Sequence, residues 1–151
     1  MTRLKRLDSI FDEAPLYFIT ATTGDRAKIM ANEATHQAFL HFCRGARERG
    51  VIVGRYVLMP DHLHLFVCIP PGPATLSGWI KSLKNALSKH WRAQGIEAPH
   101  WQKGFFDHLV RNHESEADKW AYMRNNPVRA GLAEKPEEWP YAGEIHPFVP
   151  Q

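Results

Sequence analysis

The chain is poor in cysteine, with two among 151 residues, Cys43 and Cys68. That is too few for a disulfide scaffold or a four-thiolate zinc site. Each lies among apolar residues, so buried, reduced thiols are expected. No stretch approaches the roughly 18 consecutive apolar residues of a membrane span. Residues 1–13 mix Arg3, Lys5 and Arg6 with Asp8, Asp12 and Glu13. They lack the apolar core of a signal peptide, so a cytoplasmic, nucleoid-associated protein is expected. No internal repeat or low-complexity tract is present. Acidic residues are missing between Asp61 and Glu97, where Lys81, Lys84, Lys89 and Arg92 all fall. Within a net charge of only +3, such a basic sector suits a polyanion, although a solvated helix face explains it as readily.

The composition is 44% hydrophobic and 23% charged, which is that of a globular chain and excludes a disordered or fibrous one. At about 150 residues per domain, the length predicts one domain over residues 1–151. Its core spans about 14–133, followed by a Pro-rich tail over 134–151 that wraps the surface. Residues 16–23 are rich in β-formers and stop at Gly24-Asp25, which predicts a strand. Residues 32–49 carry apolar side chains at helical spacing and end at Gly50. Residues 51–59 and 62–69 predict two further strands, joined by the tight break Pro60-Asp61.

A long helix follows over 74–94. Leu76, Ile80, Leu83, Leu87 and Trp91 form its buried stripe, with Lys81, Lys84, Ser88 and Arg92 on an adjacent polar stripe. Trp79 and Trp91 flank the basic face, where they either pack in the core or stack a base. Residues 104–110 predict a fourth strand, with Asp107 and His108 on opposite faces, where a structural hydrogen bond is expected. A last helix starts at the capping-box-like Ser115-Glu116-Ala117-Asp118 and ends near Asn125, because Pro127 disfavours helix at the residue before it. The order βαββαβ predicts an α+β, ferredoxin-like antiparallel sheet with helices on one face. The other face is expected to be open for a ligand.

In Asp61-His62-Leu63-His64-Leu65-Phe66-Val67, the strand period puts His62 and His64 on one face and Leu63, Leu65 and Val67 on the other, toward the core. Imidazoles two residues apart on a strand are separated by about 7 Å at Cα, close enough to share one cation. A pair of polar residues on an exposed face explains the motif equally. Asp61 is either a turn cap or a group that orients a metal-bound imidazole. On the late helix, Tyr122 and Asn126 fall one turn apart. A phenol can serve as a covalent nucleophile and an amide oxygen can complete a cation's shell. Otherwise Tyr122 is a half-buried aromatic and Asn126 a helix cap.

Read together, these pieces resemble the single-tyrosine transposases of the HUH superfamily, in the REP-associated tyrosine transposase branch. The matching residues are Leu58-Met59-Pro60-Asp61 with His62-Leu63-His64, and Tyr122-Met123-Arg124-Asn125-Asn126-Pro127-Val128-Arg129-Ala130-Gly131-Leu132. Tyr17-Phe18-Ile19-Thr20 and Trp101-Gln102-Lys103-Gly104-Phe105-Phe106-Asp107-His108 add to them, so the resemblance covers roughly 14–133. It implies a metal-dependent transposase and endonuclease that cuts and rejoins single-stranded DNA beside a hairpin. Tyr122 would attack the scissile phosphate, leaving a 5′-phosphotyrosine and a free 3′-OH. His62, His64 and Asn126 would hold Mg²⁺ or Mn²⁺, and no nucleotide cofactor is needed. Lys81, Lys84 and Arg92 are expected to contact DNA. A monomer is favoured over a homodimer with a swapped tyrosine helix.

Three rival readings stand beside this one. A histidine-triad hydrolase requires a third alternate histidine, and that position is Phe66. A nucleic-acid-binding module on the same scaffold would place stacking aromatics where His62 and His64 lie. A domesticated form of the transposase would bind hairpins without mobilising DNA.

Overall fold

The computed structural model describes residues 14–147. The N-terminal basic residues Arg3, Lys5 and Arg6 lie outside them. The described chain runs β1 (Leu16–Thr22), α1 (Glu33–Arg44), β2 (Ile52–Leu58), β3 (His62–Cys68), α2 (Leu76–Ala93), β4 (Phe106–Val110), α3 (His113–Arg124), α4 (Asn126–Arg129) and β5 (Ala142–Glu144). The five strands form one sheet in the order β4-β1-β3-β2-β5, antiparallel at every pairing. The first four strands are the ferredoxin-like arrangement. The fifth comes from the Pro-rich tail, in addition to the four strands expected. Its short run docks on β2 because Leu58 N–H donates to Tyr141 O and Trp139 Nε1 to Leu58 O, at 2.8 and 2.9 Å.

The two helices of the βαβ units cover one face. Phe39 and Cys43 of α1 and Ile80, Leu83, Leu87 and Trp91 of α2 pack on Ile19, Ala21, Leu63, Leu65 and Val67. Burial of these side chains supplies most of the driving force for the fold. A register irregularity between Val53 and Tyr56 lets both residues face this core, although strict alternation would separate them. Trp79 and Trp91 are both buried, so neither stacks a base. Ser88 is buried as well, against its expected place on the polar stripe. The reason is that α2 packs on α1 as well as on the sheet, which widens its covered side.

Helix limits differ in two places. The predicted 32–49 helix ends at Arg44, with Gly45 at its cap, and continues as a 3-10 turn closed by Gly50 in the left-handed region at φ 82°. The last helix starts before the predicted box: Asn112 is its N-cap, accepting from Ser115 N–H at 2.9 Å.

The second face is not wholly open. Leu16, Val57, Phe66, Cys68 and Val110 are apolar on that side and need cover. Met123 and Trp120 of α3 and Trp139 of the tail supply it. The Arg55 guanidinium lies 5.2 Å above the Trp120 ring, fastening α3 to β2. What stays accessible on this face is the end of the sheet that carries His62 and His64, both half-buried.

Candidate active site

The register of the sheet builds the site. Thr20 pairs with His64 and Thr22 with His62 across β1 and β3, so these four residues share the half-covered face. The two imidazole rings lie 4.8 Å apart between centroids. Each has its Nδ1 engaged: His64 by Thr20 Oγ1 at 2.9 Å, His62 by Asp61 Oδ1 at 2.7 Å. Nε2 of His64 makes no hydrogen bond among the described residues, and Nε2 of His62 meets only Asn126. His64 also stacks on Phe18, at 5.3 Å between centroids. Burial, the neighbouring His62 and the charge of Arg129 push the His64 imidazole down to about 3. It is therefore neutral near pH 7, the form that ligates a cation.

Asp61 is tied on both oxygens, the second accepting from Arg26 Nε at 2.9 Å. Burial pushes its carboxyl up, but the hydrogen bonds from His62 and Arg26 outweigh that and hold it below the usual carboxylate range. Of its two expected roles, the side chain takes the one that orients an imidazole. Arg26 has a positive φ of 52°, an uncommon conformation for a residue other than glycine.

Asn126 reaches the same place from far along the chain, its Nδ2 lying 3.4 Å from His62 Nε2. It does so from the first position of α4, because α3 stops at Arg124. Asn125, not Asn126, is the cap, its backbone N–H donating to Ala121 O. Tyr122 sits one turn earlier, with 63% of its surface exposed. It lines a hollow of about 390 Å³ with Phe18, Asp118 and Lys119. Phe18 is thus shared, lining the Tyr122 hollow and stacking on the His64 ring. The Tyr122 hydroxyl makes no hydrogen bond among the described residues.

Among the described residues, no three His, Cys, Asp or Glu side chains gather around one point. The donor set on offer is two imidazoles and one carboxamide, whose oxygen and nitrogen exchange by a half-turn. Two imidazoles with an amide oxygen are donors that can hold a divalent cation.

The basic residues are elsewhere. Lys81 and Arg92 are exposed on α2, which covers the opposite face of the sheet. Lys84 is partly engaged within the protein, with two backbone carbonyls taking bonds from its three-donor ammonium. Its ammonium donates to Gln102 O at 3.2 Å and to Gly104 O, and lies 5.5 Å over the Trp101 ring. It thereby holds the loop before β4. That loop also packs on Gly24, where a Cβ would come within 2.7 Å of Pro99 O. Asp107 and His108 are both exposed on edge strand β4, and neither makes the expected hydrogen bond among the described residues. Sequence reasoning missed Thr20, Phe18, Arg26 and Arg129. Alternation places Phe18 and Thr20 together but cannot say which face they share. Arg129 was detectable as the residue two turns beyond Tyr122.

The α+β fold is that of a REP-associated tyrosine transposase solved bound to a REP hairpin. The two superpose with a TM-score of 0.73 at 21% identity, over 92% of this chain and 86% of that one. The chain belongs to the IS200-like transposase family, whose model matches residues 15–126. A Haemophilus influenzae protein provisionally named a REP-associated tyrosine transposase is 26% identical, over 87% of this chain and 81% of its own length. The REP-associated tyrosine transposase of Escherichia coli is 25% identical over 64% of this chain and 56% of its own. No helix among the described residues is long and apolar enough to cross a membrane.

Proposed function

We propose that this transposase-family chain cuts and rejoins single-stranded DNA beside a hairpin through a covalent tyrosine intermediate. One observation carries the reading: Asn126 and His62, 64 residues apart, converge within 3.4 Å on the face that also holds His64, with Tyr122 one turn away. A chance arrangement has no reason to bring an amide to the Nε2 side of an imidazole whose Nδ1 is already satisfied. The hairpin is suggested by the solved relative, which is bound to one.

In this reading the Tyr122 oxygen forms a bond to the scissile phosphorus as the P–O3′ bond breaks. The phosphate stays on the tyrosine as a 5′-phosphotyrosine, and the proton lost by the phenol is balanced by the one gained by the 3′-oxygen. The ester keeps the energy of the broken bond, so rejoining needs no nucleotide. A divalent ion held by His62, His64 and Asn126 would act as a Lewis acid on phosphate oxygens. Thr20 and Asp61 hold the imidazoles by Nδ1, which would leave their Nε2 atoms to such an ion. Because Asn126 meets His62 of its own chain, a monomer suffices.

The test is covalent capture. With Mn²⁺ and a hairpin oligonucleotide carrying a single-stranded flank, the protein should become attached to DNA. Mass spectrometry should place the nucleotide on Trp120-Ala121-Tyr122-Met123-Arg124. Tyr122→Phe should bind the hairpin and form no adduct. Because the hydroxyl is unbonded and the ring exposed, stability should change by no more than about 0.5 kcal/mol. Attachment elsewhere, or cleavage by the Phe variant, refutes the mechanism. Binding without any adduct leaves a hairpin-binding module.

A further inference from the structure

Arg129 is held against Tyr122 at two points. Its Nη2 donates to the Tyr122 carbonyl oxygen at 2.7 Å, and its Cζ lies 3.9 Å from the centre of the Tyr122 ring. The guanidinium is therefore pinned by a backbone acceptor and stacked on the phenol face. The side chain is exposed, and no carboxylate pairs with it among the described residues. A guanidinium has five N–H donors in a rigid fork, and Tyr122 O uses one of them. A cation with free donors and no paired carboxylate is thus fixed against the candidate nucleophile. Such a fork matches two oxygens of a phosphate and needs no reorganisation to meet charge that develops there.

We propose that Arg129 binds a nonbridging oxygen of the scissile phosphate while holding the Tyr122 ring in position for attack. The proposal rests on the reading of Tyr122 as the nucleophile. Arg129 neither gives nor takes a proton, since its charge is permanent in proteins. The bonds made and broken remain Tyr122 O–P and P–O3′. Without a phosphate role, Arg129 would only staple α4 to the end of α3.

The test compares wild type, Arg129→Gln and Arg129→Lys on hairpin oligonucleotides with a natural phosphate or an uncharged methylphosphonate at the cut. Arg129→Gln should still bind the hairpin, with a loss no larger than that of one phosphate contact. Its rate of covalent attachment to the natural phosphate should fall about 100-fold, as for loss of one donor to a developing charge. Arg129→Lys should recover only part of that, because an ammonium does not fork or stack. On the methylphosphonate, the gap between wild type and Arg129→Gln should close, since the charge to be met is gone. Should the Gln variant fail to fold, Arg129→Lys carries the same comparison. Undiminished attachment by the variants, or an equal loss on both substrates, would overturn the proposal and leave the staple. No adduct from the wild type would overturn the Tyr122 reading, and this proposal with it.

Discussion

Asp61 and His62 are neighbours in sequence and bonded through their side chains: the carboxylate accepts from His62 Nδ1 at 2.7 Å and from Arg26 Nε at 2.9 Å. An ionised carboxylate can only accept, so His62 carries its proton on Nδ1 and presents Nε2 as an acceptor. The turn between β2 and β3 therefore sets the tautomer of a candidate ligand.

Asp61→Asn should weaken Mn²⁺ binding about 10- to 100-fold, the usual effect of losing such an orienting group. Titration of the metal against the free protein reads this directly. Arg26→Gln should cause a smaller loss, since Arg26 acts on His62 only through Asp61. Equal metal affinity in Asp61→Asn and wild type would remove Asp61 from the site.

His62→Ala and His64→Ala should both abolish DNA attachment, as should EDTA. Their stabilities should differ. His64 is bonded to Thr20 and stacked on Phe18, so its loss should cost about 1–2 kcal/mol from one hydrogen bond and one ring contact. His62 lacks the stacking on Phe18 and should cost less. Full cleavage in EDTA would be fatal to the metal reading.

Reversing both Lys81 and Arg92 should weaken DNA binding and lower its salt slope by about one unit for each phosphate that is no longer neutralised. Lys84→Met should behave otherwise. Its ammonium is spent on Gln102 O and Gly104 O, so thermal stability should drop by about 1 kcal/mol with little change in slope. If Lys84 alone moves the slope, its bonds to the loop give way to phosphate in the complex.

Stability should also report the buried pair on the helix-covered side, where Tyr56 OH lies 2.7 Å from His36 Nε2. Burial first, then the nearby Cys43, pushes the Tyr56 hydroxyl up to about 12. A phenol that ionises later in the folded state than in the unfolded one favours folding below the unfolded value. Its contribution is lost as pH rises from about 10 to about 12. Denaturant unfolding across that window should show the fall in wild type and a shallower one in Tyr56→Phe. The same variant should lose about 1 kcal/mol near neutrality with the hydrogen bond. A parallel decline in both proteins would assign the alkaline loss to other groups.

The sheet was legible because its strands obey period two. Leu63, Leu65 and Val67 face the helices as alternation requires, and His62 and His64 the other side. Arithmetic of this kind fails where the chain breaks its own period, as at the Val53/Tyr56 irregularity. It fails again at the end of α3. There Asn125, not Asn126, serves as the cap, and the amide that meets His62 belongs to a second short helix. Neither Ser88 nor Lys84 could be placed from the helical wheel of α2, because their surroundings come from α1 and from the loop before β4.

From the order of amino acids alone follow the α+β class, the strand that carries both histidines, the side of that strand they occupy and the family to which the chain belongs. These are local properties: periodicity, turn chemistry and ordered motifs act over a few residues and survive any packing. Which groups face those histidines depends on the folded chain as a whole. Thr20 arrives through the register of β1 on β3, Asp61 through the turn and Asn126 from 64 residues away. The same packing makes α3 cover half of the face expected to be open, and lays Arg129 on the Tyr122 ring. The cause is that apolar residues on the second face had to be covered. Whatever covered them would bring its own side chains to the site, and no local pattern states which segment that is.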